Sequence, residues 1–140
     1  MATFTKIQKF VLNLGNKVFN LGTDQIKVAL TNTLPTVGTD NQYSHLVSPL
    51  ATTNLSGATP FNVTTTSFTQ TSGTAKLILA DLILTATGTV GPFRYVVLYS
   101  DTATNKELIG FYDYGSSISI QNGETFTIDF DGSAGVLTIA

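Results

Sequence analysis

The side chains that could do chemistry are few in this sequence, and they are spread thinly. His45 is the only histidine, and there is no cysteine to join it. A Ser-His-Asp triad or a zinc site needs partners at set spacings, so His45 reads as a surface or interface residue. The run Asp129-Phe130-Asp131-Gly132 has the makings of half a calcium-binding loop. In a strand the two aspartates would point the same way, and no glutamate follows at the spacing an EF-hand requires. Strand-end aspartates leading into a turn explain the run equally well. A glycosidase pair would have to come from seven aspartates and two glutamates. Glu107 and Glu124 fall in or beside expected turns, and nothing selects a pair. The chain is therefore read as a non-enzyme with no metal and no cofactor.

The aromatics Tyr95, Tyr99, Phe111, Tyr112 and Tyr114 could line a sugar-binding platform. Cross-strand pairing inside a sheet is the commoner use of such residues. Two glycosylation sequons, at Asn54-Leu55-Ser56 and Asn62-Val63-Thr64, are what chance supplies in a chain rich in Thr and Ser.

The elements that must position these residues follow from composition and period. The chain has 140 residues, 42% of them hydrophobic and 11% charged, with a net charge of −2. An average globular domain carries about 25% charged residues. The high apolar content argues against disorder, and the length suits one domain, residues 1–140. The seven Lys and Arg residues are scattered, so no basic stripe exists for nucleic acid or an anionic membrane. No run approaches the 18 or more apolar residues of a membrane span, and the first residues lack a signal peptide's apolar core. Synthesis in the cytosol, with release by lysis or assembly, is the expectation.

Phe4, Ile7, Val11, Leu14 and Val18 recur at helical steps and predict an amphipathic helix or arm over residues 1–22, stopping at Asn20-Leu21-Gly22. Such a stripe most often packs on its own domain, and a partner surface is the alternative. Residues 25–31 alternate as a strand with one buried face. Residues 33–74 hold three of the four prolines (Pro35, Pro49 and Pro60) and many polar residues. They predict long loops with short strands near 61–63 and 67–71, and loops this long usually serve recognition. Residues 75–140 predict the β core: a strand over 76–87, a turn at Gly91-Pro92, strands at 95–100 and 108–112, and a final strand at 136–139. Asn122-Gly123 predicts a type I′ hairpin. The fold class is mainly β, an antiparallel β-sandwich or barrel-like β domain with one N-terminal amphipathic helix packed on it.

The segments GPFRYVVLYSDT (91–102) and LIGFYDYGSSISIQNGETFTIDFD (108–131), the terminal GVLTIA, and the opening FTKIQKFVLNLGNKVFNLG with DQIKVALTNTLP carry a resemblance. They resemble a family of small virion proteins of tailed bacteriophages, over most of the chain except about residues 37–70. The shared wording is structural, and no catalytic residue comes with it. The resemblance implies a capsid cement or decoration protein that self-associates, typically as a trimer, and clamps subunits of the major capsid protein on the capsid exterior. Other virion roles are a receptor- or carbohydrate-binding module of a head or tail fibre, or a tail or connector part. Contact residues are expected in the N-terminal arm (Phe4 and Ile7) and in residues 43–61 (Tyr43, His45 and Phe61).

Overall fold

Two runs rich in β-branched and aromatic residues make the longest strands in the computed structural model, which describes residues 2–140. These are β7 (Val90–Ser100) and β8 (Leu108–Ile120). They pair antiparallel at the centre of a five-stranded sheet. β1 (Thr3–Lys6) lies outside β8, and β2 (Ile26–Thr31) then β3 (Asn62–Val63) lie outside β7, giving the order β1-β8-β7-β2-β3. A second set of strands supplies the opposing layer. β4 (Thr65–Thr71), β5 (Thr74–Leu79) and β10 (Leu137–Ile139) run in the order β10-β5-β4, and β6 (Leu82–Thr85) pairs with β9 (Thr125–Ile128). The molecule is mainly β, 46% strand and 6% helix, with a sandwich-like arrangement.

The layers meet through residues of both. Leu77, Leu79, Leu84 and Ile128 are fully buried against Val28, Leu30, Phe93, Val96 and Leu98 in one continuous cluster. Tyr112 packs on Phe130 and Phe93 on Phe126, with ring centroids 6.0 and 5.3 Å apart. Burial of apolar area on this scale drives the collapse of the chain.

Several expectations need correction. Phe4 lies in β1, opposite Tyr112, rather than on a helix. The only α-helix among the described residues is α1 (Phe10–Gly15), and it buries Phe10 and Asn13 while Val11 is exposed. Pairing with the open edge of β8 recruits Phe4–Lys6 into the sheet, so the apolar stripe starts later and with a shifted phase. The helix also stops well before Asn20. Lys17 adopts φ 62°, Val18 N–H donates to Asn13 O at 2.9 Å, and Lys17 N–H donates to Leu14 O at 3.2 Å. That is the bonding pattern of a Schellman stop.

β2 buries Ala29 and Thr31 as well as its expected face, because it lies inside the sheet with cover on both sides. The run 76–87 is two strands in two different sheets, separated at Ala80-Asp81. Asp81 Oδ1 accepts Phe130 N–H at 2.9 Å at that step. Gly91-Pro92 lies within β7, where the register shifts between Val90 and Phe93, and does not reverse the chain. At Asn122-Gly123 only Gly123 has positive φ, at 87°, and Glu124 N–H donates to Gln121 O at 2.9 Å. This is a type II turn rather than type I′. β8 pairs with β7 and β9 with β6, so the turn carries the chain between layers and no hairpin forms.

Candidate partner-binding surface

Residues 32–61 have little regular structure beyond a 3-10 turn at Tyr43–His45, yet they are fastened to the five-stranded sheet at many points. Leu50 N–H donates to Leu30 O at 2.8 Å, and Thr31 Oγ1 donates to Val47 O at 2.7 Å. Beyond β3, these bonds take up the edge of β2. Tyr43 N–H donates to Lys106 O at 2.9 Å, Leu108 N–H donates to Asn41 O at 3.0 Å, and the Tyr43 ring lies 5.0 Å from that of Tyr99. Leu46, Leu55 and Phe61 enter the core. The apolar residues of the segment are thus mostly its anchors. Its outer side is Thr, Ser, Asn and Gly, with Leu34 and Val47 exposed at 57% and 55%.

This arrangement sorts the expected contact residues. Ile7 is wholly buried, and its N–H donates to Ile109 O at 3.0 Å. Phe61 is buried too, with its carbonyl accepting Val28 N–H at 3.0 Å. Neither is free to meet a partner in the folded chain. Phe4 is half-buried, its ring 5.0 Å from Tyr112, and Tyr43 is half-buried on Tyr99. His45 is the one that stands exposed, with Nδ1 accepting Asn41 N–H at 3.2 Å. Sequence reading treated loop apolars as available because it could not see which of them hold the loop down. It missed Leu34 and Val47, and nothing in their local pattern distinguishes them from the anchors.

The candidate sugar platform is mostly internal, with only Tyr114 half-buried. Tyr95, Tyr99, Phe111 and Tyr112 are all buried, and Tyr95 meets Phe111 edge-on at 5.9 Å. Burial pushes the Tyr112 phenol up to about 12, and it raises Tyr99 and Tyr114 as well. Asp131 Oδ1 accepts the N–H groups of Ala134 and Ser133 at 2.7 and 2.8 Å, which hold its carboxyl below the ordinary range. The Asp129–Gly132 run therefore builds the turn before β10.

Some of the charged residues pair locally. Asp101 lies 3.3 Å from Lys27 Nζ and 3.2 Å from Lys106 Nζ. Partial burial works against its charge, but the two lysines outweigh it and its pKa falls. Nearby, a depression of about 450 Å³ is lined by Asn16, Lys17, Asp24, Thr102, Asn105 and Glu107 among others. Both of its carboxylates are engaged inside the fold: Asp24 Oδ2 accepts Ser100 Oγ–H at 2.9 Å, and Glu107 accepts N–H groups of Asn105 at 3.2 Å.

No helix of the described residues is long and apolar enough to cross a membrane. Comparison with protein-family models, with curated proteins and with solved structures finds no match to this chain.

Proposed function

We propose that the chain is a structural protein of a bacteriophage virion, a capsid cement or decoration protein. In this reading it self-associates, with a trimer favoured, and clamps neighbouring subunits of the major capsid protein on the capsid exterior. It performs no catalysis. The observation that carries the reading is the strapped segment 32–61. Its only charged residue is Asp40, its backbone is ordered by bonds to β2, β6 and β8, and its outer side is broad and polar with Leu34 and Val47 projecting. Interface cores are depleted of charge, and a pre-ordered loop loses little entropy on binding. Many weak copies of such a contact on a lattice add to tight attachment. The segments that resemble the virion family fall in β1, α1, β2 and β7–β10, so the resemblance concerns mainly the scaffold that holds this segment in place.

A glycan-binding fibre module draws less support, because the aromatics it would need are inside the sheet. The test is co-sedimentation of the purified chain with phage capsids stripped of accessory proteins. Saturable binding, weakened by Leu34→Asp with Val47→Asp, is the expected result. Binding unchanged by the pair, or no binding, contradicts the reading.

A further inference from the structure

β4 is an outer strand, paired only with β5. The turn between them, Ser72-Gly73, has φ 51° and 83°, the two positive values of a type I′ hairpin. Thr71 and Thr74 flanking it therefore form a hydrogen-bonded pair, and bonded pairs alternate from there. Phe68 opposite Leu77 and Gln70 opposite Ala75 are then non-bonded pairs. Leu77 O bears this out: it accepts Val136 N–H at 2.8 Å, on the side away from β4. The N–H and C=O of Phe68 and Gln70 consequently point outward. Among the described residues nothing pairs with them.

Exposed edges in monomeric proteins are blunted by charge, proline, cover or a bulge. β4 has no charge, proline or cover. No charged residue occurs between Asp40 and Lys76, and β4 itself contains no proline. Its one irregularity is a register shift at its start, between Thr65 and Ser67. Phe68, at the midpoint of the strand, is half-buried at the rim of the core.

We infer that β4 pairs with β4 of a second copy of this chain, antiparallel, about a two-fold axis at Phe68. Phe68 then bonds with Phe68 and Gln70 with Thr66, and the two half-covered phenylalanines shield each other on the core side. The strand meets itself without like-charge repulsion, which suits a self-complementary contact. Such a contact is isologous and closes at two copies. It cannot build a trimer, but it joins one assembly to the next. The inference goes beyond the cement reading and does not depend on it.

The absence of cysteine makes the register directly readable in the full chain. In this pairing Ser67 of one copy faces Thr69 of the other as a non-bonded pair, with Cα atoms about 4.5 Å apart, within reach of a disulfide. Ser67→Cys and Thr69→Cys chains are mixed and mildly oxidised. A mixed disulfide, formed several-fold in excess of either homodimer, is expected. Yields in the 1:2:1 proportion of random pairing, an excess of either homodimer, or no disulfide at all overturn the inference. Gln70→Pro, made in both cysteine chains, removes an outward N–H together with the bond from Gly73 N–H to Gln70 Oε1. Gln70→Ala loses only the latter. The proline is expected to cut the mixed disulfide several-fold while the alanine leaves it intact, thermal melting confirming that both fold. A yield that the proline leaves unchanged also overturns it. Neither result depends on whether the chain is found in a virion, so the two readings fail separately.

Discussion

Arg94 and Asp113 meet as a two-point ion pair across β7 and β8, with Nε 2.8 Å from Oδ1 and Nη2 3.2 Å from Oδ2. The pair sits where the two strands lose step. Tyr95 faces Asp113, but Phe93 faces Ile118, so residues 114–117 bulge out of the ladder. Asp113 Oδ1 also accepts Gly115 N–H at 2.8 Å, at a residue with φ 84°. One carboxylate thus fixes both the neighbouring strand and the start of the bulge.

The Arg94 guanidinium, followed by Gly115 N–H, holds the Asp113 carboxyl below its ordinary value of 3.8. A depressed carboxyl stabilises the fold above its unfolded pKa, and that contribution is lost as pH falls through the folded pKa. Asp113→Asn is expected to lower Tm at neutral pH, with the gap to the unaltered protein narrowing below about pH 3.8. Scanning calorimetry across that range checks it. A gap independent of pH would mean that the charge contributes nothing.

The buried phenols behave in the opposite sense. Burial raises Tyr112 to about 12 and also raises Tyr99 and Tyr114 above 10.0. Their stabilising contribution is complete below pH 10 and declines as pH climbs toward the folded values. Ultraviolet titration of phenolate should show part of the tyrosine complement ionising late, with Tm falling over the same interval. Titration of every tyrosine near the ordinary value in the folded state would contradict the burial.

Gly110 of β8 lies opposite Lys6 and close against β1. A Cβ there would lie 2.5 Å from Phe4 Cζ and 2.6 Å from Thr5 O. The ring could turn aside, but the backbone carbonyl belongs to the ladder. Gly110→Ala should therefore cost about 1–3 kcal/mol and speed amide exchange at Thr3–Lys6. Unchanged exchange there would show that β1 is not seated as described.

The phase of α1 gives a sharp contrast. Phe10 is buried against Phe19 with ring centroids 5.1 Å apart, whereas Val11 is 56% exposed. Phe10→Ala is expected to cost about 3–5 kcal/mol, and Val11→Ser to stay within about 0.5 kcal/mol. Denaturant unfolding separates the two. Equal costs would restore the stripe through Val11.

That contrast also marks what the sequence could tell. Strands at 95–100 and 108–112 are legible because β-branched and aromatic residues persist there, but the rest of β7 and β8 is not, because Gly91-Pro92 reads as a turn and Gly115-Ser116-Ser117 interrupts the apolar run. The N-terminal segment was not, because Phe4, Ile7 and Val11 satisfy a helical period while Phe4 is held by a strand more than a hundred residues away. Asn122-Gly123 marked a turn correctly, but its type depends on which strands flank it, and pairing across layers is not a local property. Ser72-Gly73 was the overlooked hairpin. A Ser-Gly step between polar strand residues is a known turn signal, here diluted by the surrounding threonines. As for the contact surface, the sequence offers the long loops of residues 33–74, with contacts expected within 43–61. Which of its apolar residues face inward was settled only by the sheet beneath them.

The most direct test of the virion account is the copy number of this chain in purified particles of a phage that encodes it, relative to the major capsid protein, by quantitative mass spectrometry. A cement protein spread over the lattice predicts a ratio near parity. A handful of copies would contradict the cement role and point to a fibre, connector or tail, and absence from the particle would contradict the virion assignment itself.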